Sequence, residues 1–278
     1  MTAPSLTGVL QPDQCPDRWD DHVFVYERVF EPFTLGFARA AIDELQLPVG
    51  ARVVDVGCGS GGAALALARA GKSVTAVDAA PKMIERVRER ALASSLTLDA
   101  RAMDGQSLTF ADHAFDAGLS VFGVVLFPDA VRGLQEMRRV VRPGGKVAVV
   151  TWTQPQNYEL AAALRAASLE VWPDQPQGPL PAQLRYREAT DFEALFTAAG
   201  FAPPRISTVT ATLTAPSARW LAENITFAPG MAAMVGALGD RQGAVLDRFV
   251  RTLEAKHGTA DVALRGVGLV GVAEVPTV

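Results

Sequence analysis

The sequence predicts an α/β protein with a largely parallel sheet flanked by helices. Three observations carry this. The apolar, β-branched run Val53-Val54-Asp55-Val56 passes directly into Gly57-Cys58-Gly59-Ser60-Gly61-Gly62, and an alanine-rich helical pattern follows. Glycine is needed where a buried strand must turn into a helix while a ligand touches its main chain. Strand-like and helix-like stretches alternate from 51 to 152, the spacing of βαβ units. Asp78 ends the second strand, 23 residues after Asp55, where a carboxylate can accept from both hydroxyls of a ribose.

The elements follow in order. Residues 19–45 read as a helical, aromatic leading region broken by Pro32. Residues 51–56 are a strand, 61–70 a helix and 72–78 a strand. The helix 81–93 has proline in its first turn and Met83, Ile84 and Val87 on one stripe. Strands are expected over 96–102 and 115–122. The helix 128–141 carries Val131, Leu134, Met137 and Val141 on one face. Arg142-Pro143-Gly144-Gly145 stops it, and 146–152 is the next strand. Beyond Trp152 come helices over 158–171 and 190–200 and strands over 204–213 and 262–274. Between these strands, 216–257 forms two helical patches joined by Pro229-Gly230. We expect one domain: a leading helical lid segment (1–45), a cofactor-binding core (46–152), and the rest of the sheet (153–278) with lid insertions at 153–188 and 216–257.

The chain has 278 residues, 49% hydrophobic, and a formal net charge of -4. No basic field points to nucleic acid. The two cysteines, Cys15 and Cys58, are too few for a disulfide framework or a zinc site, and no metal is expected. Apolar runs such as 121–127 are too short to span a bilayer. Residues 1–16 are expected to be loose, and 1–14 show no secretory signal. The expected setting is the reducing cytoplasm, without a membrane partner.

A glycine loop alone is weak evidence. Gly57, Gly59 and Gly62 satisfy the dinucleotide pattern, and NAD enzymes share an acid like Asp78. The Tyr/Lys pair of short-chain dehydrogenases is missing, because Tyr26, Tyr158 and Tyr186 all lack a lysine four residues on. An NAD(P)-dependent oxidoreductase is therefore the weakest of three readings.

Residues 53–61, Ala76-Val77-Asp78, and the stretches 104–116, 122–129 and 136–150 resemble the successive motifs of class I S-adenosylmethionine (SAM)-dependent methyltransferases. The likeness is to the small-molecule group related to the ubiquinone/menaquinone-biosynthesis enzymes. Arg138-Arg139-Val140-Val141-Arg142-Pro143-Gly144-Gly145 and Trp19-Asp20 with Tyr26 are its most recognisable parts. The resemblance covers about 19–152, with Ala199-Gly200-Phe201 beyond. It implies a Rossmann-like, seven-stranded sheet whose last strand is antiparallel, and SAM as cofactor. By position, Asp55 would be a cofactor-binding residue, the loop with Gly57, Gly59 and Gly61 would approach the methionyl part through its backbone, and Asp78 would bind the ribose. Ala79 and Met83 would flank the adenine, and Asp104 with the Gly105 backbone would read its edge. Ser120 and Phe122 would border the sulfonium and the acceptor, with Tyr26 closing over the methionyl end. Ala79 and Gly105-Gln106 stand where the family often has acids.

Each residue also has a plainer reading. Asp78 could cap a helix, Asp104 could be a loop acid, and Met83, Ser120, Phe122 and Tyr26 could simply pack. Trp152, Tyr158, Trp172 and Trp220 could line a cavity or fill a lid core. Cys58 reads as a small filler, and Arg86, Arg88 and Arg90 as a solvated helix face. His22, one turn before Tyr26, is the candidate base; His113 falls at the far end of the sheet, and His257 is expected to be exposed. The expected function is transfer of a methyl group from SAM to O, N or C of a small, apolar or aromatic metabolite. The alternative is a SAM-binding protein that catalyses another reaction, such as a cyclisation, or only binds a ligand. The oligomeric state stays open, a homodimer included.

Overall fold

The computed structural model describes residues 9–277. Seven strands form one sheet: β1 (Arg52–Val56), β2 (Ser73–Asp78), β3 (Asp99–Ala102), β4 (Phe115–Val121), β5 (Val141–Trp152), β6 (Arg205–Ala215) and β7 (Val262–Glu274). Their order is β3-β2-β1-β4-β5-β7-β6. β1 pairs in parallel with β2 and β4, β2 with β3, and β4 with β5. β7 runs antiparallel to both β5 and β6. The expected mostly parallel, seven-stranded sheet with an antiparallel last strand is thus present.

The helices are α1 (Glu31–Leu45), α2 (Gly62–Arg69), α3 (Pro81–Ala93), α4 (Ala130–Val140), α5 (Glu159–Val171), α6 (Ala189–Ala198), α7 (Ala218–Glu223), α8 (Pro229–Gly236) and α9 (Gln242–His257). Successive strand residues point to opposite faces. Val53, Ala117, Leu119, Ala148 and Val150 therefore meet Phe33, Phe37 and Ala41 of α1 on one side. Val54, Val56, Val147 and Val149 meet Leu134 and Met137 of α4 and Phe192 and Phe196 of α6 on the other. Burial on both faces explains why the strands read as continuous apolar runs. The structure contains no helix, among the described residues, that is long and apolar enough to cross a membrane.

Four expectations change. Pro32 does not break the leading region; it sits in the first turn of α1. The irregularity lies just before it, as a π-helical turn over Tyr26–Phe30. Proline cannot donate to the carbonyl four residues back, so the ladder must widen or open there. Residues 9–16 are not loose: Gln11 bonds the backbone of Leu180 and Ala182, and Asp13 accepts from the Gly230 amide at 2.7 Å. Residues 1–8 lie outside the described residues. Pro229-Gly230 does not join two helical patches but starts α8, with proline in its first turn and Asp13 at its N-terminus; α7, α8 and α9 make three helices. The Pro143-Gly144-Gly145 turn ends α4 as expected, yet stays within β5 as an irregularity facing Phe115–Ala117.

Gly145 marks how tight that irregularity is. A Cβ there would lie 2.5 Å from the Asp116 carbonyl oxygen. Gly145→Ala should cost about 1–3 kcal/mol in urea unfolding. Gly178, with nothing within 4 Å of an added Cβ, should accept alanine within about 0.5 kcal/mol.

Candidate active site

The strand-to-helix turn after β1 is built by close backbone approach. Gly57 has φ +70°, and its Cβ would lie 2.8 Å from the Cα of Gly123. Gly61 has φ +90°, and its Cβ would lie 2.8 Å from Val87 of α3. Both positions demand glycine twice over, by conformation and by space. The amides of Gly57 and Cys58 both donate to the Val77 carbonyl, which locks the loop to the end of β2. Burial pushes the Cys58 thiol well above its ordinary pKa, so it stays protonated and suits a packing role rather than a nucleophile's.

The leading segment lies across this loop. The Tyr26 ring sits 3.3 Å from where a Gly59 Cβ would be, with Trp19 and Phe30 edge-on to it at 5.7 and 5.9 Å. Two carboxylates, one helical turn apart, fasten the segment. Glu27 takes two bonds from Arg86, at 2.6 and 3.0 Å. Glu31, only 5% exposed, accepts from the Ser60 hydroxyl at 2.6 Å and the Gly62 amide at 3.0 Å. Both its oxygens also pair with Arg90, at 2.8 and 2.7 Å. Arg90 donates a further bond to the Ser60 carbonyl. The sequence had suggested a solvated basic face here. Instead Arg86 and Arg90 clamp the leading segment, and Arg88 bonds the Ala100 carbonyl at the sheet edge. The signal was the matched spacing: two acids four apart and two arginines four apart, each pair on one helical face.

Asp78 and Asp55 meet the loop, and a third acid, Asp104, lies on the turn after β3. Asp78 accepts from the amides of Gly59 and Ala80, both at 2.9 Å. Burial raises its pKa, and those amides oppose the shift. Asp55 is 1% exposed, and its Oδ2 has no hydrogen-bonding partner. Burial first, then the Asp78 and Glu31 charges, push its carboxyl up to about 7. Asp104 is exposed at a turn after β3, where its Oδ1 accepts from the amide and side chain of Gln106. Gly105 is buried against Phe127 and Val56. Met83 is buried in a small cluster with Val23 and Ala80 that Trp19 and Tyr26 cover, and Ala79 is half-buried beside it.

At the carboxyl ends of β4 and β5, Ser120 is fully buried. Its hydroxyl donates to the Val56 carbonyl and accepts from the Val124 amide, so it ties β1 to the turn after β4. Phe122 holds φ +58°, an uncommon conformation for a bulky residue and a frequent mark of functional turns. Its ring stacks on Trp152 at 4.0 Å. Trp152 stacks in turn on Tyr158 at 5.2 Å and Phe33 at 5.8 Å. Phe30 and Phe227 close the group, stacked at 4.5 Å. Phe122 of this column was named from the sequence, but Phe30, Phe33 and Phe227 were missed because they are spread over the π-helical turn, α1 and the stretch before α8. Trp172 and Trp220 stand apart from the column, under Arg241 and Arg28 respectively.

The histidines are dispersed. His22 Nδ1 lies 2.8 Å from the Thr226 carbonyl; that carbonyl can only accept, so the proton sits on Nδ1. His113 is at the opposite, amino end of β4, as expected. His257 is half-buried rather than exposed, with its Nε2 enclosed and without a partner. Among the described residues no cluster of His, Cys, Asp and Glu could hold a metal ion.

Comparison with known proteins adds the missing context. The methyltransferase domain family matches residues 54–149. Over these residues the chain is similar to methyltransferase domains. An uncharacterized protein of Mycobacterium tuberculosis is 34% identical over 170 residues, which covers 61% of this chain and 59% of that protein. The demethylmenaquinone methyltransferase of Paenarthrobacter aurescens is 30% identical over 149 residues, 52% of this chain and 57% of the enzyme. The chain thus spans about three-fifths of the length of the curated relatives it matches. The crystal structure of the [4+2]-cyclase SpnF shares the fold at a TM-score of 0.58 and 19% identity, covering 96% of this chain and 97% of that one.

The space beside the glycine loop under Tyr26 is small. Tyr26, Glu31, Thr34, Asp55, Gly57 and Gly62 line a space of ≈ 20 Å³, room for about one water molecule. A nucleoside-sized ligand does not fit this space while Tyr26 and the Glu31 cluster keep these positions. Glu31→Ala would take its main carboxylate partner from the half-buried Arg90 guanidinium and leave the Gly62 amide and the Ser60 hydroxyl without theirs. It should lower stability by about 3–5 kcal/mol in urea unfolding. The double variant with Arg90→Ala should lose clearly less than the two single losses added together.

Proposed function

We propose that this chain moves a methyl group from SAM to a small, flat, apolar or aromatic acceptor, in the cytoplasm. The observation that carries this is the unpartnered Oδ2 of Asp55 behind the Tyr26 ring. A buried carboxylate oxygen with no donor, flanked by two further carboxylates, is a site short of positive charge. SAM supplies it as an ammonium and a sulfonium, so the residues present fit the group. When bound, it furnishes an electrophilic methyl carbon.

The remaining chemistry belongs to the chain. The Gly57–Gly61 loop lets the main chain approach the methionyl part. Asp78, already aimed at the Gly59 and Ala80 amides, exchanges part of that bonding for the ribose hydroxyls. Ala79 and Met83 flank the adenine, and Asp104 with the Gly105 amide meets its edge. Tyr26 closes over the methionyl end. An aromatic face offers a cation about 0.5–2 kcal/mol. Phe122 and Trp152 form the acceptor side, while Ser120 fixes the turn that carries Phe122. Alignment in a water-free site can supply up to about 7–11 kcal/mol of the barrier reduction. For an acceptor that must lose a proton, His22 offers Nε2, the ring nitrogen that does not face the Thr226 carbonyl. The low net charge of -4 and the aromatic column favour an organic metabolite over nucleic acid as partner.

Asp78→Ala should weaken SAM binding by roughly 100-fold in calorimetry, the loss of two hydrogen bonds to a charged acceptor, with the fold kept. Unchanged affinity would remove Asp78 from the ribose role. A mass gain of one methyl on an aromatic metabolite, with release of S-adenosylhomocysteine, is the direct test of transfer.

Asp55 gives a pH test. Its raised carboxyl is protonated below about 7, and the neutral form attracts no cation. SAM affinity should therefore fall as pH drops from 7 to 6, by up to about 10-fold per unit. Asp55→Asn should remove that slope. The same shift destabilises the free protein as pH rises between the ordinary aspartate value and about 7, so Asp55→Asn should gain relative stability at pH 8. A variant that keeps the wild-type slope would sink the assignment.

A further inference from the structure

Gln106, half-buried on the turn after β3, has all of its polar groups engaged. Its backbone amide and its side-chain Nε2 both donate to Asp104 Oδ1, at 2.9 and 3.0 Å. Its Oε1 accepts from the Asp129 amide at 2.9 Å, and its backbone carbonyl accepts from Arg132 Nε at 3.3 Å. Asp129 caps α4, its side chain taking the Arg132 amide. One glutamine side chain thus ties the Asp104 carboxylate to the turn that starts α4.

This tie lies beyond the carboxyl ends of the strands. The Met103 amide donates to the Asp78 carbonyl at 2.8 Å. An added Cβ at Gly105 would lie 2.6 Å from the Phe127 ring and 2.8 Å from Val56, the last residue of β1. Asp104 therefore stands on a turn wedged between the ends of β1 and β2 and the turn after β4, the side on which parallel sheets bind ligands. Its Oδ2 takes no bond from the chain among the described residues. An exposed aspartate ordinarily samples several rotamers. Two donors on one oxygen hold this carboxylate still and leave the other oxygen unspent.

We propose that Gln106 is a positioning residue for base recognition: it holds Asp104 so that Oδ2 accepts from the exocyclic amino group of a bound adenine. This rests on the reading of the site as a methyltransferase's, in which Asp104 meets the adenine edge. An ionised carboxylate can only accept. A base without that amino group leaves the oxygen unmatched. A carboxylate held in place discriminates more sharply than one free to turn to water.

Two ligands that differ at that amino group alone test this: S-adenosylhomocysteine and its analogue with purine in place of adenine. Both affinities are read by calorimetry at neutral pH. The wild type should bind the adenine ligand about 10-fold more tightly, and Asp104→Ala should bring that ratio to about 1. In Gln106→Ala it should fall to about 3 or below. Gln106→Glu, which keeps the length but loses the donor, should fall as far; either variant decides if the other does not fold. A residue that only ties two turns together would weaken both ligands alike and keep the wild-type ratio, and that result overturns the proposal. A ratio near 1 in the wild type, or one that survives in Asp104→Ala, overturns it too. If the wild type does not bind S-adenosylhomocysteine, the methyltransferase reading falls and takes the proposal with it. If it binds with a ratio indifferent to Gln106, the proposal alone falls.

Discussion

The Glu31 carboxylate holds the site together. It sits at the head of α1, yet its partners belong to the loop after β1, the first residue of α2 and the arginine of α3. Four separate segments meet on one buried acid. A single pair of this kind is weak evidence for stability, because desolvation offsets most of the attraction. Here the geometry is fully satisfied, and its value is positional. The cluster fixes how closely the leading segment lies on the glycine loop, and so sets where Tyr26 and Phe30 rest.

The three acids around the loop are compensated unequally, and the inequality is informative. Glu31 has a guanidinium, a hydroxyl and an amide. Asp78 has two amides. Asp55 retains one oxygen with nothing to meet it. Positive charge is therefore most wanted at Asp55, beside the backbone that Gly57 keeps open. The aromatic column beyond the loop offers polarisable faces, and its polar groups are the Trp152 indole N–H and the Tyr158 hydroxyl.

Much of the fold was legible because parallel strands buried on both faces leave an unmistakable apolar signature. β1, β2, β4 and α3 fall within a residue of their expected bounds. The glycine loop was legible for a related reason, since conformation and space both exclude side chains there. What escaped was long-range. Arg86 and Arg90 look like solvent-facing charges on α3, and only the placement of Glu27 and Glu31 gives them partners. Asp13 looks like part of a loose terminus, and only the start of α8, more than 200 residues on, explains it. Pro32 misled by strength: a helix breaker in an interior is a helix starter in a first turn, and the strain moved to the π-helical turn before it. Ser120 was legible as a strand-end polar residue, but its two backbone bonds depend on the β1–β4 pairing.

The π-helical turn has a reach that its five residues belie. Tyr26 opens it, over the glycine loop; Phe30 closes it, over Trp152 and Phe227. One five-residue turn thus seats both the ring over the glycine loop and the ring over the aromatic column, so a displacement at either end is carried to the other.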